Sequence, residues 1–197
     1  MQCHNFNEDW TFEKADQADR LKAFYGNSNA VDVTLPHDAM IREKRDKDCP
    51  SGAQSGFYPG GVYTYEKKFM AQNEWKTQDV FLEFEGIYGI ARVWINGALA
   101  AVNRNGYMGF SVDLKPWISY ENENIIRIDV DNSKQPNSRW YSGSGIYRDV
   151  NLWTGKDVYI SHDKLRITTL SVNDDMAVIE VCAQLKNIIG HGLEAEC

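Results

Sequence analysis

The residues best suited to chemistry in this sequence lie close together, in the segment from Ser138 to Arg148. It begins with a hydroxyl, a planar cation and two aromatic rings, on Ser138, Arg139, Trp140 and Tyr141. A guanidinium carries five hydrogen-bond donors in a fixed fork, and an aromatic ring can pack against the apolar face of a pyranose. The segment therefore predicts a sugar-binding loop. A structural role explains the same composition, with Trp140 closing one end of the fold and Arg148 in a buried ion pair.

Two glutamates spaced two residues apart, Glu83 and Glu85, could form a pair of catalytic carboxylates. On one face of a strand their Cβ atoms would lie about 6.5–7 Å apart. An inverting glycosidase separates its two carboxyl groups by about 6.5–9.5 Å. Nothing in the neighbouring sequence indicates the burial that would raise the pKa of either group, so we favour a solvated strand face.

A second pair, His37 and Asp38, could orient a general base. A catalytic triad also needs a positioned nucleophile, and the sequence contains no G-x-S-x-G motif. We favour a turn in which Asp38 accepts backbone N–H groups and His37 packs against its neighbours.

The sequence predicts neither a metal site nor a cofactor. The D-x-D-x-D-G spacing of a calcium loop is absent from the acidic residues Asp129, Asp131, Asp174 and Asp175. The four cysteines include no C-x-x-C pair, and His37 and Cys49 do not have zinc-ligand spacing. We therefore expect free thiols.

Alternating apolar and polar residues indicate that β-strands position these groups. Within Asp79–Glu85, for example, Val80, Leu82 and Phe84 share one face. Such alternation leaves one wet face per sheet, which is typical of antiparallel sheets packed as a sandwich. Strands are predicted at Val62–Phe69, Asp79–Glu85, Ile90–Asn96, Ile125–Asp131 and Tyr147–Trp153.

Three other local signals concern turns, a helix and a loop. The dipeptides Asn96-Gly97 and Asn105-Gly106 predict two-residue hairpin turns, because both central positions need φ > 0. A helix of about two turns is predicted at Asp16–Phe24. The segment Ile41–Gly61 is predicted to be a long surface loop, and such loops are often functional.

A domain boundary is predicted near Gly155-Lys156, which divides the chain into 1–155 and 156–197. Beyond it, Val158–Leu170 and Met176–Leu185 again have strand patterns, with a turn at 173–175 between them. Two or three strands are marginal alone. We therefore interpret 156–197 as the start of a second β domain.

Composition and charge exclude several classes of protein. The 197 residues are 43% hydrophobic and 12% aromatic, which excludes disorder as the main state. The net charge of −7 argues against binding nucleic acid. No apolar stretch approaches the roughly 20 residues of a membrane span, and no signal peptide is visible, so a cytoplasmic location is expected.

A series of segments carries a resemblance that covers residues 6–155. They are Phe6-Asn7, Trp10–Phe12, Leu35–Asp38, Gly56–Val62, Phe81–Ile87, Ala91–Gly97, Asn105–Phe110 and Ser138–Arg148. In this order they resemble the N-terminal part of glycoside hydrolase family 2, the group of β-galactosidases, β-glucuronidases and β-mannosidases. The segments Leu35–Asp38, Pro59–Val62 and Ser138–Tyr141 look most like the β-galactosidase branch.

This resemblance implies a fold and a division of labour. The fold would be a jelly-roll, galactose-binding-like β-sandwich over 1–155, followed by the first strands of an immunoglobulin-like domain. The family's two catalytic glutamates belong to a TIM barrel further along, for which 197 residues leave no room. We therefore expect no catalytic residue and no hydrolysis by this chain alone. A complete enzyme would hydrolyse terminal β-galactosides with retention.

The resemblance also implies site residues and partners. Arg139 would donate to a galactose hydroxyl, and Ser138, Trp140 and Tyr141 would shape the rim of an active site shared with the barrel. Some members have Asp where this chain has Ser138, so no sodium contact is implied. A structural role is implied for Pro59–Gly61, Arg148 and Leu35–Asp38.

The partners expected are a β-galactoside, the barrel of the same chain and a second copy, because unpaired edges in 157–197 invite association. Two alternatives stay open. One is a free-standing carbohydrate-binding module, and the other is a purely structural or assembly domain.

Overall fold

Two antiparallel sheets and one separate hairpin make up the described part of the chain, which in this computed structural model is residues 1–15, 30–134 and 143–190. The strands are β1 (Gln2–Asn5), β2 (Trp10–Ala15), β3 (Val31–Val33), β4 (Val62–Phe69), β5 (Asp79–Phe84), β6 (Ile90–Ile95), β7 (Ala98–Asn103), β8 (Phe110–Asp113), β9 (Asn124–Asp131), β10 (Val150–Gly155), β11 (Val158–Val172) and β12 (Ala177–Asn187). Two short 3₁₀ turns lie at Gly52–Ser55 and Asn73–Thr77.

One sheet has six strands in the order β3-β2-β4-β9-β6-β7, and the other has four in the order β1-β10-β5-β8. Every pairing is antiparallel. Buried residues alternate along β4, β5, β6 and β9, and in β5 Val80, Leu82 and Phe84 are fully buried. The all-β antiparallel sandwich predicted from the sequence is confirmed.

The core is rich in aromatic side chains from β2 and β4. Trp10, Tyr63 and Tyr65 are fully buried there, and Phe12 stacks on Tyr63 with ring centroids 5.9 Å apart. Burying rings of this size removes a large apolar area from water, which stabilises the packing of one sheet on the other.

The predicted strands are confirmed with small shifts, and the predicted Tyr147–Trp153 strand is observed as Val150–Gly155. The predicted strands do not include β1, β2 and β3, which precede Val62, or β7 and β8. Among these, β1 is exposed along its whole length, so it shows no apolar alternation.

The two Asn-Gly dipeptides behave differently. Asn96 and Gly97 have φ of 49° and 82° and join β6 to its neighbour β7, so the first hairpin prediction is confirmed. The second is wrong. Asn105 and Gly106 connect β7 to β8, which belong to different sheets, and neither residue has a positive φ.

The predicted helix Asp16–Phe24 lies outside the described residues. The segment Ile41–Gly61 is irregular, as predicted, apart from the 3₁₀ turn at Gly52–Ser55. It is more ordered than a plain surface loop, because Ser51 and Ser55 are buried and both donate to the Tyr58 carbonyl.

The strands β11 and β12 form a two-stranded sheet of their own, joined by the predicted turn at 173–175. Asn173 closes this turn by accepting hydrogen bonds from the Asp175 and Met176 amides. The base of this hairpin touches the sandwich, where Tyr159 donates to Asp79 at 2.5 Å and Lys186 lies over the Phe81 ring. Most of its apolar side chains are exposed.

No helical segment among the described residues is long and apolar enough to cross a membrane.

Candidate functional site

The four predicted sugar-binding residues, Ser138, Arg139, Trp140 and Tyr141, lie within 135–142, outside the described residues. Their roles stay predictions. The structure does describe the two chain segments that flank this stretch, and these segments show how its ends are held on the sandwich.

The two flanking segments are tied to each other and to the core. The Asn132 side-chain amide donates to the Gly143 carbonyl at 3.3 Å. The Asn132 backbone N–H donates to the Gly61 carbonyl at 2.8 Å. Asn132 is itself buried. Asn132 and Gly143, which lie on either side of this stretch, are therefore held next to each other.

The segment that begins at Gly143 is held by Tyr88, in the turn after β5. Tyr88 and Gly145 exchange two backbone hydrogen bonds of 2.9 and 3.1 Å. The Ser144 hydroxyl, which is fully buried, donates to the Tyr88 carbonyl at 3.1 Å. Gly145 has a φ of 101°, and an added Cβ would overlap the Tyr65 hydroxyl. Only glycine fits this close approach.

His37 and Asp38 also contact this segment. The Asp38 carboxylate accepts backbone N–H groups from Met40 at 2.9 Å and Ser144 at 3.2 Å. The His37 ring packs against Phe12 and shares a 2.9 Å hydrogen bond with the Tyr65 hydroxyl. Burial lowers the pKa of His37, and the positive charge of Arg42 adds to this effect. The predicted structural turn is confirmed.

The carboxylates of Glu83 and Glu85 are occupied by partners on the neighbouring strand. The Trp153 indole donates to Glu83 at 2.6 Å, and the Asn151 amide donates to Glu85 at 3.1 Å. These are cross-strand pairs on the outer face of the four-stranded sheet. The interpretation as a strand face, rather than a catalytic pair, agrees with this geometry.

Other candidates are also accounted for by their contacts. Within the described ranges, no cluster of three or more His, Cys, Asp or Glu side chains could hold a metal ion. Cys3, Cys49 and Cys182 are free thiols, as predicted. Arg148 is exposed and lies over the Tyr147 ring at 5.4 Å, so the alternative that placed it in a buried pair is wrong.

Sequence reasoning missed Asn132 and Tyr88, and it placed Ser144 in the candidate segment without recognising that this residue holds one end of 135–142. Single polar residues at a strand end or after a glycine turn have no periodicity to mark them. The only available signal was Asp38, because a carboxylate in a turn must accept N–H groups from somewhere.

Comparison with known proteins gives a consistent result. Residues 10–158 match the family described as the glycosyl hydrolase 2 galactose-binding domain-like domain. The chain is 36% identical to Beta-galactosidase BoGH2A of Bacteroides ovatus, over 93% of this chain and 22% of that protein. It is 29% identical to a putative beta-glucuronidase of Formosa agariphila, over 92% of this chain and 18% of that protein.

Among solved structures, a beta-glycosidase from Bacteroides vulgatus superposes with a TM-score of 0.83 and 31% identity. The match covers 95% of this chain and 24% of that one. A glycosyl hydrolase family 2 member from Bacteroides cellulosilyticus gives a TM-score of 0.82 at 29% identity, and 24% of its chain is covered. The chain thus spans less than a quarter of these relatives, and it belongs to the glycosyl hydrolase 2 galactose-binding domain-like family.

Proposed function

We propose that this chain is the N-terminal sugar-binding and scaffold domain of a family 2 glycoside hydrolase that hydrolyses terminal β-galactosides with retention. The observation that carries the proposal is the family match over residues 10–158, together with 36% identity to a β-galactosidase of which the chain covers 22%. A retaining enzyme needs two carboxyl groups about 5–5.5 Å apart. Glu83 and Glu85 are engaged in cross-strand pairs, so these groups would come from another domain.

The contribution of this domain to catalysis would be a rim for the active site. The fixed ends of 135–142 support this proposal, because a loop held by Asn132 and Ser144 could present Arg139 to the sugar at low entropic cost. Arg139 would donate to a galactose hydroxyl, and Ser138, Trp140 and Tyr141 would form the adjacent wall.

We further propose that 156–197 is the start of a second, immunoglobulin-like domain. Its supporting observation is the hairpin β11–β12, which forms a separate sheet and exposes Ile167 and Val181. Apolar strand faces of this kind pack against further strands in a sandwich. In the 197-residue chain, the same faces would promote association of two copies.

A chimera tests the proposed function directly. Residues 1–197 would replace the matching segment of Beta-galactosidase BoGH2A, and hydrolysis of p-nitrophenyl β-galactoside would be measured. We expect the chimera to be active and the 197-residue chain alone to be inactive. Within the chimera, Arg139→Ala should raise KM at least about tenfold, equivalent to one lost charge-assisted hydrogen bond.

The matched control is Arg148→Ala, because Arg148 is an exposed arginine that follows 135–142 in the chain and lies over the Tyr147 ring. It should leave KM unchanged. A folded chimera that hydrolyses no aryl glycoside would contradict the proposal. An active chimera with equal KM in both variants would reduce the domain to a scaffold.

A further inference from the structure

A cavity of about 470 Å³ lies beside Tyr88, between the turn that joins β7 to β8 and the end of β9. Tyr88 and Tyr107 form its aromatic side, and Arg104, Asn105, Asp131 and Lys134 supply polar groups around it. Pockets for small molecules commonly measure about 300–1,000 Å³ and combine an apolar wall with a few polar groups.

The aromatic side has one exposed and one buried ring. Tyr107 is half exposed, and its ring meets the buried Tyr88 ring edge-on, at 5.5 Å between centroids and 70° between planes. Burial raises the pKa of Tyr88 to about 12, and a side-chain hydrogen bond with Tyr107 contributes to the shift. The Tyr88 hydroxyl therefore stays protonated at neutral pH. The exposed face of the Tyr107 ring is available to a ligand.

The turn that presents Tyr107 is fixed by its own side chains. Asn103 accepts from the Asn105 amide at 3.1 Å, and Asn105 accepts from the Tyr107 amide at 3.0 Å. The Tyr147 hydroxyl donates to the Gly106 carbonyl at 2.9 Å. A Cβ on Gly106 would lie 2.8 Å from the Tyr88 ring, so glycine lets the turn sit directly on that ring. The turn and the Tyr107 ring that it presents are thus in place before any ligand binds.

The polar groups include donors and an acceptor. Neither Arg104 nor Lys134 forms an ion pair within the part of the chain that the structure describes, and both are exposed. Burial works against ionisation of Asp131, but hydrogen bonds from Ser133 and the charge of Arg92 outweigh it and lower the pKa of Asp131. Asp131 therefore remains an acceptor at neutral pH.

We propose that this cavity binds a neutral sugar unit, with the apolar face of the ring on Tyr107 and the hydroxyls on Arg104, Lys134 and Asp131. An apolar ligand would leave these charged groups without partners, and a strongly anionic one would meet the Asp131 carboxylate. A neutral sugar matches the mixture, because each hydroxyl both donates and accepts. The site goes beyond the proposed function, since the residues proposed to bind this sugar are different from those of the proposed rim.

The test is titration of the 197-residue chain with methyl β-galactoside, methyl β-glucoside and methyl β-xyloside, followed by calorimetry and by backbone NMR shifts. We expect saturable binding of at least one glycoside in the millimolar range, with shifts centred on residues 104–107 and 131–134. Tyr107→Ala should weaken binding about tenfold, as expected when an aromatic wall is removed.

Two further variants keep the result interpretable if Tyr107→Ala is unstable. Tyr107→Phe retains the ring and should bind nearly as well as the parent chain, whereas Arg104→Ala should weaken binding. The control is Met108→Ala, because Met108 is the next residue in the same turn, is 63% exposed and does not line the cavity. It should bind like the parent chain.

Three outcomes would overturn this inference. They are the absence of saturable binding with all three glycosides, equal weakening by Met108→Ala and Tyr107→Ala, and binding lost in Arg139→Ala but kept in Tyr107→Ala. An active chimera combined with no binding to this chain would reject the cavity and leave the proposed function standing.

Discussion

Replacing Gly145 with alanine should destabilise the sandwich far more than the same replacement at Gly97. Both glycines have positive φ, 101° and 82°, so alanine is strained at either position, at a cost of roughly 1–2 kcal/mol. At Gly97 an added Cβ would meet nothing within 4 Å. At Gly145 it would overlap the Tyr65 hydroxyl and lie 3.2 Å from Ala39.

The extra cost at Gly145 follows from what must move. Tyr65 is fully buried, so its ring has little room to withdraw, and overpacking of a core typically costs about 1–3 kcal/mol. Displacing the hydroxyl also breaks its 2.9 Å hydrogen bond with His37, for roughly 0.5–1.5 kcal/mol more. We expect a loss of about 3–6 kcal/mol for Gly145→Ala, against about 1–2 kcal/mol for Gly97→Ala.

Urea unfolding, followed by tryptophan fluorescence, measures both losses as shifts of the midpoint at constant slope. A third variant isolates the clash, since Tyr65→Phe removes the hydroxyl that the new Cβ would overlap. Gly145→Ala should cost at least about 1 kcal/mol less in the Tyr65→Phe background than in the parent chain. Equal losses at Gly145 and Gly97, or a Gly145→Ala cost that does not change with Tyr65→Phe, would refute the reasoning.

Burial lowers the pKa of His37, so the unfolded chain binds a proton at this residue at a higher pH than the folded chain does. The free energy of unfolding should therefore fall as the pH drops below about 6.5. In urea titrations, His37→Gln should remove that part of the pH dependence. An unchanged pH profile would exclude His37 as its source. Asn96→Ala should cost about 2 kcal/mol in the same assay, because it loses side-chain hydrogen bonds and strains a residue at φ 49°. Asn96→Gly should relieve the backbone strain and so cost less stability than Asn96→Ala. An equal loss of stability in both variants would argue against a contribution from strain. Ile167 and Val181 are register partners, 64% and 61% exposed, so lysine at both should reduce self-association of the 197-residue chain in sedimentation velocity. A parent chain that is already monomeric at high concentration would contradict this expectation.

The sandwich could be predicted from sequence where a strand is half buried. In β5 every second residue from Val80 is apolar, and in β9 every second residue from Ile126 is apolar. The structure buries those residues. β1 could not be predicted, because it is an edge strand whose four residues are all exposed. Only its pairing with β10 makes it a strand, and that pairing is a long-range contact which no local pattern records.

The Asn-Gly dipeptides show the same limit. Asn96-Gly97 forms the predicted turn because β6 and β7 are neighbours in one sheet. Asn105-Gly106 has the same two residues, but the following strand β8 pairs with β5 in the opposite sheet. Tertiary packing against Tyr88 and Tyr147 then decides the backbone, and the local preference for positive φ is overridden.

The sugar-binding residues were proposed from composition and resemblance. The structure adds the contacts of the two segments that flank them. The sequence could indicate that Asp38 accepts backbone N–H groups. It could not indicate that Ser144 is one of the donors, since that contact spans 106 residues.

The pairing of β1 with β10 has a consequence for how the chain folds during synthesis. Asn5 is opposite Asn151 in the register, so the first strand emerges long before its partner exists. At about 5–20 residues per second, this interval lasts roughly 7–30 s. From its own synthesis until β10 emerges, β5 also lacks one neighbour, because β10 lies between β1 and β5. A nascent chain with an open sheet edge next to an apolar face is vulnerable to association with other chains. The four-stranded sheet is therefore the part of the molecule whose completion is delayed, although Val80, Leu82 and Phe84 are fully buried once it is complete.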